Sequence, residues 1–394
     1  MEKRSGKTSY RQILAAVVCL FVGASACQSD NDAEADYHYH PDSTDWDTVE
    51  NLVTADFRSL EQAGMEITNL FPDLSAASET MIAQIQAPEQ AVLPLRSDED
   101  NEGNVYIRNS NENTVDVYSA EGAHLYSVGS PELLLGFTLS PDYQTLYVMD
   151  INDTEVFKRN GGEFESYDSF FHGLRFATGI CASNDAVFMS GQGLMPEAAQ
   201  SVMNQESSVE DHNEFQGPVT VYSRDDYEFE RTFGRAIESQ FGRAASSAWL
   251  SESHLACFPE QDTIVTFNKH FGQADAYRMD GERLWSLNLE NFAGVRFRES
   301  REFQLAPLPE DSDRTYMHSL SAVTDQPYAV LGFMHTSQGS SDQPITVKSV
   351  LLDIRDGSMM ELTRDQDLVT SLSSSSAVIQ RFTEDGNIEV YLNR

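Results

Sequence analysis

A period of 41 residues constrains this chain more than any other feature. The stretch from Gly103, GNVYIRNSNENTVDVYSAEGAHLYSVG, aligns with QTLYVMDINDTEVFKRNGGEFESYDSF from Gln144, placing Tyr106 over Tyr147. DAVFMSG from Asp185 puts Phe188 a further 41 residues on. Within each unit apolar and polar residues alternate, the period of β-strands. Strands recurring at this spacing match the length of a four-stranded propeller blade. Later units keep the pattern with longer loops: HLACFPEQDTIVTFNK from His254, YAVLGFMH from Tyr328 and AVIQRFTEDGNIEVYLNR from Ala377. Turn dipeptides punctuate them, Glu121-Gly122, Asp280-Gly281, Asp356-Gly357 and Asp385-Gly386, supplying the positive-φ positions that hairpins need.

Six units result, and the sixth ends at Arg394 with three evident strands. A radial array removes its exposed edges by closing on itself. An N-terminal strand such as MIAQIQ, Met81 to Gln86, is positioned to supply the missing outer strand. The expected fold is therefore all-β: a six-bladed β-propeller of four-stranded blades over residues 76–394, with seven blades or a β-sandwich as alternatives.

The N-terminal quarter reads differently. Lys3, Arg4, Lys7 and Arg11 precede a twelve-residue apolar run, Ile13 to Ala24, too short for a membrane-spanning helix and suited to a secretory signal over residues 1–26. The ending Ala24-Ser25-Ala26-Cys27 resembles the lipobox of bacterial lipoproteins, which implies lipid attachment at Cys27 and a mature chain beginning there. Ala24 stands where that family usually has Leu, and the competing reading is ordinary Ala-x-Ala cleavage. From Gln28 to Glu50 there are eight acidic residues and no Lys or Arg, so residues 27–43 are expected to form a disordered tether. Gln28 after the cysteine implies, by resemblance to Gram-negative sorting rules, an outer-membrane address facing the periplasm or the cell surface. His38 and His40 lack a partner motif for metal. Across residues 44–75 a helical segment is expected: Trp46, Val49, Val53, Phe57 and Leu60 recur at three- and four-residue steps, with a Thr44/Asp47 capping-box start to a helix over Asp45 to Ala63.

The formal net charge is −37, and removing residues 1–26 leaves 22 basic against 62 acidic residues, or −40. Nucleic acid is thereby excluded as an expected partner. Only five of the whole chain's 26 basic residues are Lys, and an acidic, Lys-poor composition resembles the proteins of extreme halophiles. Beyond Cys19 and Cys27 the cysteines are Cys181 and Cys257, both in apolar strand-like runs, and either one disulfide or two buried thiols fits them.

Phrases such as GNVYIRNSNENTVDVYSAEG and SPDYQTLYVMDINDTEVFKRNGG resemble the repeats of NHL-type and TolB-like propellers, and residues 76–394 resemble the six-bladed propeller lipoproteins common in Bacteroidota. The resemblance implies fold and cell address; propellers host both enzymes and binding scaffolds. In such blades the connections between blades share one face with those between second and third strands. On this register that face carries Arg175, Arg235, Arg243, Arg296, Arg298 and Arg301, with His172 nearby. The expectation is a binding or scaffold module engaging an envelope protein or an anionic glycan or peptide through these arginines. The competing expectation is that they pair with Asp and Glu to knit blades together. A long insertion from Gln192 and an excursion from Phe292 to Met317 should fall on the same face.

No GxSxG, HExxH or P-loop appears. DEDNEG, Asp98 to Gly103, resembles half a calcium loop, but Asn109 occupies its twelfth position, so a solvated hairpin turn is expected there. No cofactor is expected. The alternative function is a calcium-assisted hydrolase of the lactonase type seen on similar propellers, with ligands scattered around the central channel.

Overall fold

The computed structural model describes residues 37–39, 49–57, 60, 79–86, 96–109, 111–129, 133–172, 174–175, 177–193, 217–300, 305–308, 314–324, 326–336, 346–362, 367–373, 376–383 and 387–394. The signal segment, Cys27, Arg301 and the helical stretch expected after Gln192 lie outside them. No helix among the described residues is long and apolar enough to cross a membrane.

The molecule is a β-propeller. Among the described residues six sheets of antiparallel strands follow one another along the chain, four of them with their strands in plain sequence order and the fourth and sixth each extended by a strand from the N-terminal region. Blade 1 is built from Ser97–Glu99, Val105–Asn109, Thr114–Tyr118 and His124–Gly129. Blade 2 follows with Gly136–Leu139, Thr145–Met149, Asp153–Asn160 and Glu163–Phe171. Blade 3 contains Ile180–Ala182, Ala186–Ser190, Val219–Ser223 and Phe229–Phe233. Ser253–Phe258, Thr263–Asn268, Gln273–Arg278 and Arg283–Glu290 form blade 4. Arg314–Ala322, Tyr328–Thr336, Thr346–Asp353 and Met359–Leu362 form blade 5. In blade 6, Asp367–Leu372, Ala377–Phe382 and Asn387–Asn393 are completed by Glu79–Gln86, which runs antiparallel to the last strand from Glu79↔Asn393 to Gln86↔Asn387.

The apolar residues do not gather into one core. They form layers between consecutive blades. Tyr106, Phe137 and Val148 lie between blades 1 and 2, and Tyr147, Ile180 and Met189 between blades 2 and 3. Further layers follow around the ring, and Ile82, Ile85, Val105, Ile107 and Val390 fill the one between blades 6 and 1. A blade packed on both faces has little use for strict alternation, which is why all five residues of Thr145–Met149 are buried. The outer strand Glu163–Phe171, by contrast, buries only Phe164 and Phe170.

Two N-terminal expectations need correction. Within the expected helix, Leu52–Asp56 is a strand that adds in parallel to the outer strand of blade 4, from Leu52↔Ser286 to Asp56↔Glu290. Val53 and Ala55 pack on the layer between blades 4 and 5, and Phe57 is buried against Phe292 and Phe333 with ring centroids 5.3 and 5.1 Å away. The same apolar residues serve either period, and the open backbone edge of blade 4 decides the matter by offering a ladder of hydrogen bonds. Within the expected disordered tether, Tyr37–Tyr39 is a strand joined to Phe297–Glu299, which in turn pairs with Ala306–Pro307. Here burial of aromatic rings outweighs the acidic composition around them. Tyr39 is 3% exposed, and its hydroxyl donates to Glu299 Oε2 at 2.6 Å and accepts from the Gln240 backbone N–H at 2.7 Å.

Candidate functional site

Each blade contributes its first strand to the central channel. Toward the C-terminal ends of these strands the channel widens to a chamber of about 340 Å³. Its wall is drawn from Ser97 and Asp98 of blade 1, Thr138 and Leu139 of blade 2, Ala182 of blade 3, Ala256 of blade 4, Ser321 and Ala322 of blade 5 and Ser371 of blade 6. Small side chains are what the inner strands need where six of them converge, because larger ones would fill the axis. Toward the N-terminal ends the space shrinks to about 20 Å³, bounded by Gly136, Gly179, His254 and Ser319 among others. Arg96 lines both cavities, so its side chain forms the chamber floor.

Arg96 donates through Nη1 to the Ile180 carbonyl and through Nη2 to Thr138 Oγ1 at 3.4 Å. A guanidinium carries five N–H donors, so three have no protein acceptor among the described residues. Asp98, two residues on in the strand that Arg96 immediately precedes, accepts from the Leu139 N–H at 3.4 Å and from the Glu99 N–H at 3.0 Å. Burial pushes the Arg96 guanidinium down and the Asp98 carboxyl up, and each charge opposes the other's shift. Glu99 points elsewhere: its carboxylate accepts from Ser376 Oγ and from Arg394 Nη2, the latter at 2.8 Å.

Covalent chemistry also reaches this wall. Cys181 and Cys257, on the first strands of blades 3 and 4, form a disulfide with their Cα atoms 5.6 Å apart, and both line the chamber. Of the two pairings open to the sequence, the bonded one is observed.

The residues expected to bind a ligand lie toward the opposite face, at the connections entering blades 3, 4 and 5. His172 is 3% exposed; its Nε2–H donates to the Asp150 carbonyl at 3.1 Å and its Nδ1 accepts from the Leu174 N–H at 3.0 Å. Burial pushes its pKa down to about 4, so the ring is neutral at pH 7 and holds a turn together. Arg175 pairs through its backbone with Gln192 in a two-stranded ribbon. Arg235 lies 3.3 Å from Asp275, and its backbone N–H donates to Tyr277 Oη at 3.1 Å. Arg243, at the N-cap of the helix Ala244–Leu250, donates to the Ser300 carbonyl at 2.8 Å and stands 3.7 Å from the fully buried Glu299. Arg235 and Arg243 thus do what the competing expectation assigned to them. Arg296 and Arg298 are exposed on either side of the buried Phe297.

The calcium-loop resemblance dissolves into an inter-blade knot. Asp100 accepts from Arg159 at 2.6 Å, from Tyr106 Oη at 2.9 Å, and from the backbone N–H groups of Glu102 and Asn104, both at 2.9 Å. Burial pushes its carboxyl upward, but these donors hold it below the usual carboxylate range. Among the described residues no group of three or more His, Cys, Asp or Glu side chains is arranged to hold a metal ion.

Sequence reasoning passed over Arg96 and met Asp98 only as the first residue of the calcium-loop resemblance. The signal available was an Arg-x-Asp alternation at the start of blade 1, where the inner strands of the other blades present mostly small or apolar residues.

No family model matches the chain, and no curated protein does. Solved structures of similar shape include a member of the DUF4221 family from Bacteroides vulgatus, at 9% identity and a TM-score of 0.47 over 81% of this chain and 98% of that one. Virginiamycin B lyase from Staphylococcus aureus matches at 9% identity and a TM-score of 0.41, over 80% of this chain and 99% of that one. A protein of unknown function from Bacteroides thetaiotaomicron matches at 9% identity and 0.45, over 81% and 76%. Likeness at this level carries no functional argument.

Proposed function

We propose that this chain is a lipid-anchored envelope propeller whose work is binding, with the channel chamber as its ligand site. The observation that carries the reading is a preformed concave space of about 340 Å³ whose floor is a guanidinium that spends two of its donors on the described residues. Ligand sites have this character: mostly small or apolar walls with a few directional polar groups. The ligand is a small polar solute or the end of a glycan or peptide chain, presented by the medium or by an envelope partner.

Lipidation at Cys27 gives this site a direction. Ten residues separate Cys27 from Tyr37, a reach of at most about 35 Å. Tyr37–Tyr39 is clasped to the connection between blades 4 and 5, at the N-terminal ends of the inner strands, whereas the chamber opens at their C-terminal ends. A molecule held by that lipid carries its exposed Arg296 and Arg298 on the bilayer side and its chamber on the far side. The address is the outer membrane, facing the periplasm or the cell surface.

Two measurements test the reading. Membrane fractionation of Cys27→Ser should find the protein released in soluble form; retention on the membrane sinks the anchor. Thermal-shift screening of the full chain with small polar solutes should yield a saturable ligand whose effect is lost in Arg96→Gln. A hit that ignores Arg96 places the site elsewhere.

A further inference from the structure

The charges of the chamber narrow its ligand to one class. We infer that it takes a zwitterion, a free α-amino acid or a very short peptide, with the ligand carboxylate on Arg96 and its ammonium on Asp98. The inference rests on the binding reading above and deepens it.

Arg96 and Asp98 are the charged pair on the inner wall of the chamber, whose other polar side chains, such as Gln261, Thr324 and Gln326, stand on the loops around it. Ser97 Oγ is 2.8 Å from Thr370 Oγ1, and Ser321 Oγ donates to the Thr370 carbonyl at 2.5 Å, so these hydroxyls are committed to the propeller itself. The guanidinium keeps three donors, and the Asp98 oxygens keep lone pairs beyond the two backbone N–H groups they accept.

An anion alone fits this charge pattern badly. It would gain one guanidinium and face Asp98 beside it, with Glu260 further out on the rim. A cation alone would suit Asp98 but stand beside the like charge of the guanidinium. A zwitterion satisfies both groups and brings no net charge into the chamber.

The order of the charges adds polarity. The guanidinium is held by Thr138 and Ile180, whereas Asp98 is held at Leu139, nearer the mouth. The ligand side chain then points outward, where Tyr143 and Gln261 line the chamber.

Isothermal titration of the purified full chain with L-amino acids, their amides and their N-acetyl derivatives tests the class. At least one free amino acid should bind saturably, and its amide and N-acetyl forms should each bind about tenfold or more weaker, the loss of one charge-assisted contact. Asp98→Asn should weaken the free amino acid and the amide but leave the N-acetyl form unchanged; Arg96→Gln should do the converse. The ligand series needs only the wild-type chain, so the inference stays testable if a variant does not fold. Equal binding of all three forms overturns it. Binding of neutral sugars or dicarboxylates without amino acids overturns the class while leaving the binding reading intact. No binding by any of these solutes up to about 10 mM, where millimolar affinities are visible, removes both.

Discussion

Breaking the Cys181–Cys257 disulfide should cost this propeller about 4.5 kcal/mol. Hydrogen-bonded ladders run within each blade, and blades 3 and 4 meet through apolar contact, as between Phe188 and Val221 of blade 3 and Leu255 and Ile264 of blade 4. The disulfide ties the first strands of those two blades together covalently, across a sequence separation of 76 residues. In the chain-entropy account, closing a loop of that length removes about 15 cal/mol/K from the unfolded ensemble, or about 4.5 kcal/mol at 25 °C. The assay is guanidinium unfolding of wild type and of the double variant Cys181→Ala/Cys257→Ala, followed by tryptophan fluorescence, each with and without reductant. Wild type should lose most of that stability on reduction, and the variant should not respond to reductant. A wild-type loss under about 1 kcal/mol would refute the reasoning, because the two blades would then be held in register in the unfolded chain by something other than the bond.

Titration of His172 sets a second expectation. Above about pH 6.5 both states are neutral and its contribution is flat; as pH falls toward 4 the unfolded chain takes up a proton that the folded one refuses, so stability drops by roughly 3 kcal/mol and then levels off. An NMR titration of its imidazole that finds a midpoint near 6.5 would contradict this. Ile85→Ala, in the strand that completes blade 6, should lower stability by about 2 to 5 kcal/mol in chemical denaturation, since Ile85 is 5% exposed in the layer between blades 6 and 1. An unchanged midpoint would mean that strand is not needed to close the ring. Tyr39→Phe, which removes a hydrogen bond to the buried Glu299, should cost about 1.5 to 3 kcal/mol and speed proteolytic removal of the N-terminal segment; a cleavage rate equal to wild type would speak against the clasp.

What the sequence revealed and what it hid divide along one physical line. Tyr106, Tyr147 and Phe188 recur because each sits in the second strand of its blade and fills the same inter-blade position, so the period was written in residues that repeat. The closing strand was legible from Met81 to Gln86 for a related reason: an edge left open at Arg394 demands a partner, and an alternating segment stood ready upstream. Local pattern misled where a distant edge chose the outcome. Val53 and Phe57 suit a helix as well as a strand, and nothing near them in sequence announces that Arg283–Glu290 presents an unpaired backbone. The arginines misled in another way, because Asp275 and Glu299, which engage Arg235 and Arg243, lie 40 and 56 residues from them, and a charge count by loop ignores such partners. The chamber was hidden most completely. Each first strand gives it only one or a few side chains, so its residues are neighbours around an axis and strangers along the chain, and no spacing rule can join Asp98 to Ala322 or Ser371. A clue of a different kind did exist. A charged pair alternating along the axis ties blade 1 to Thr138 and Leu139 of blade 2 and to Ile180 of blade 3, and where the other inner strands present small or apolar residues it is the feature on which the proposed ligand site rests.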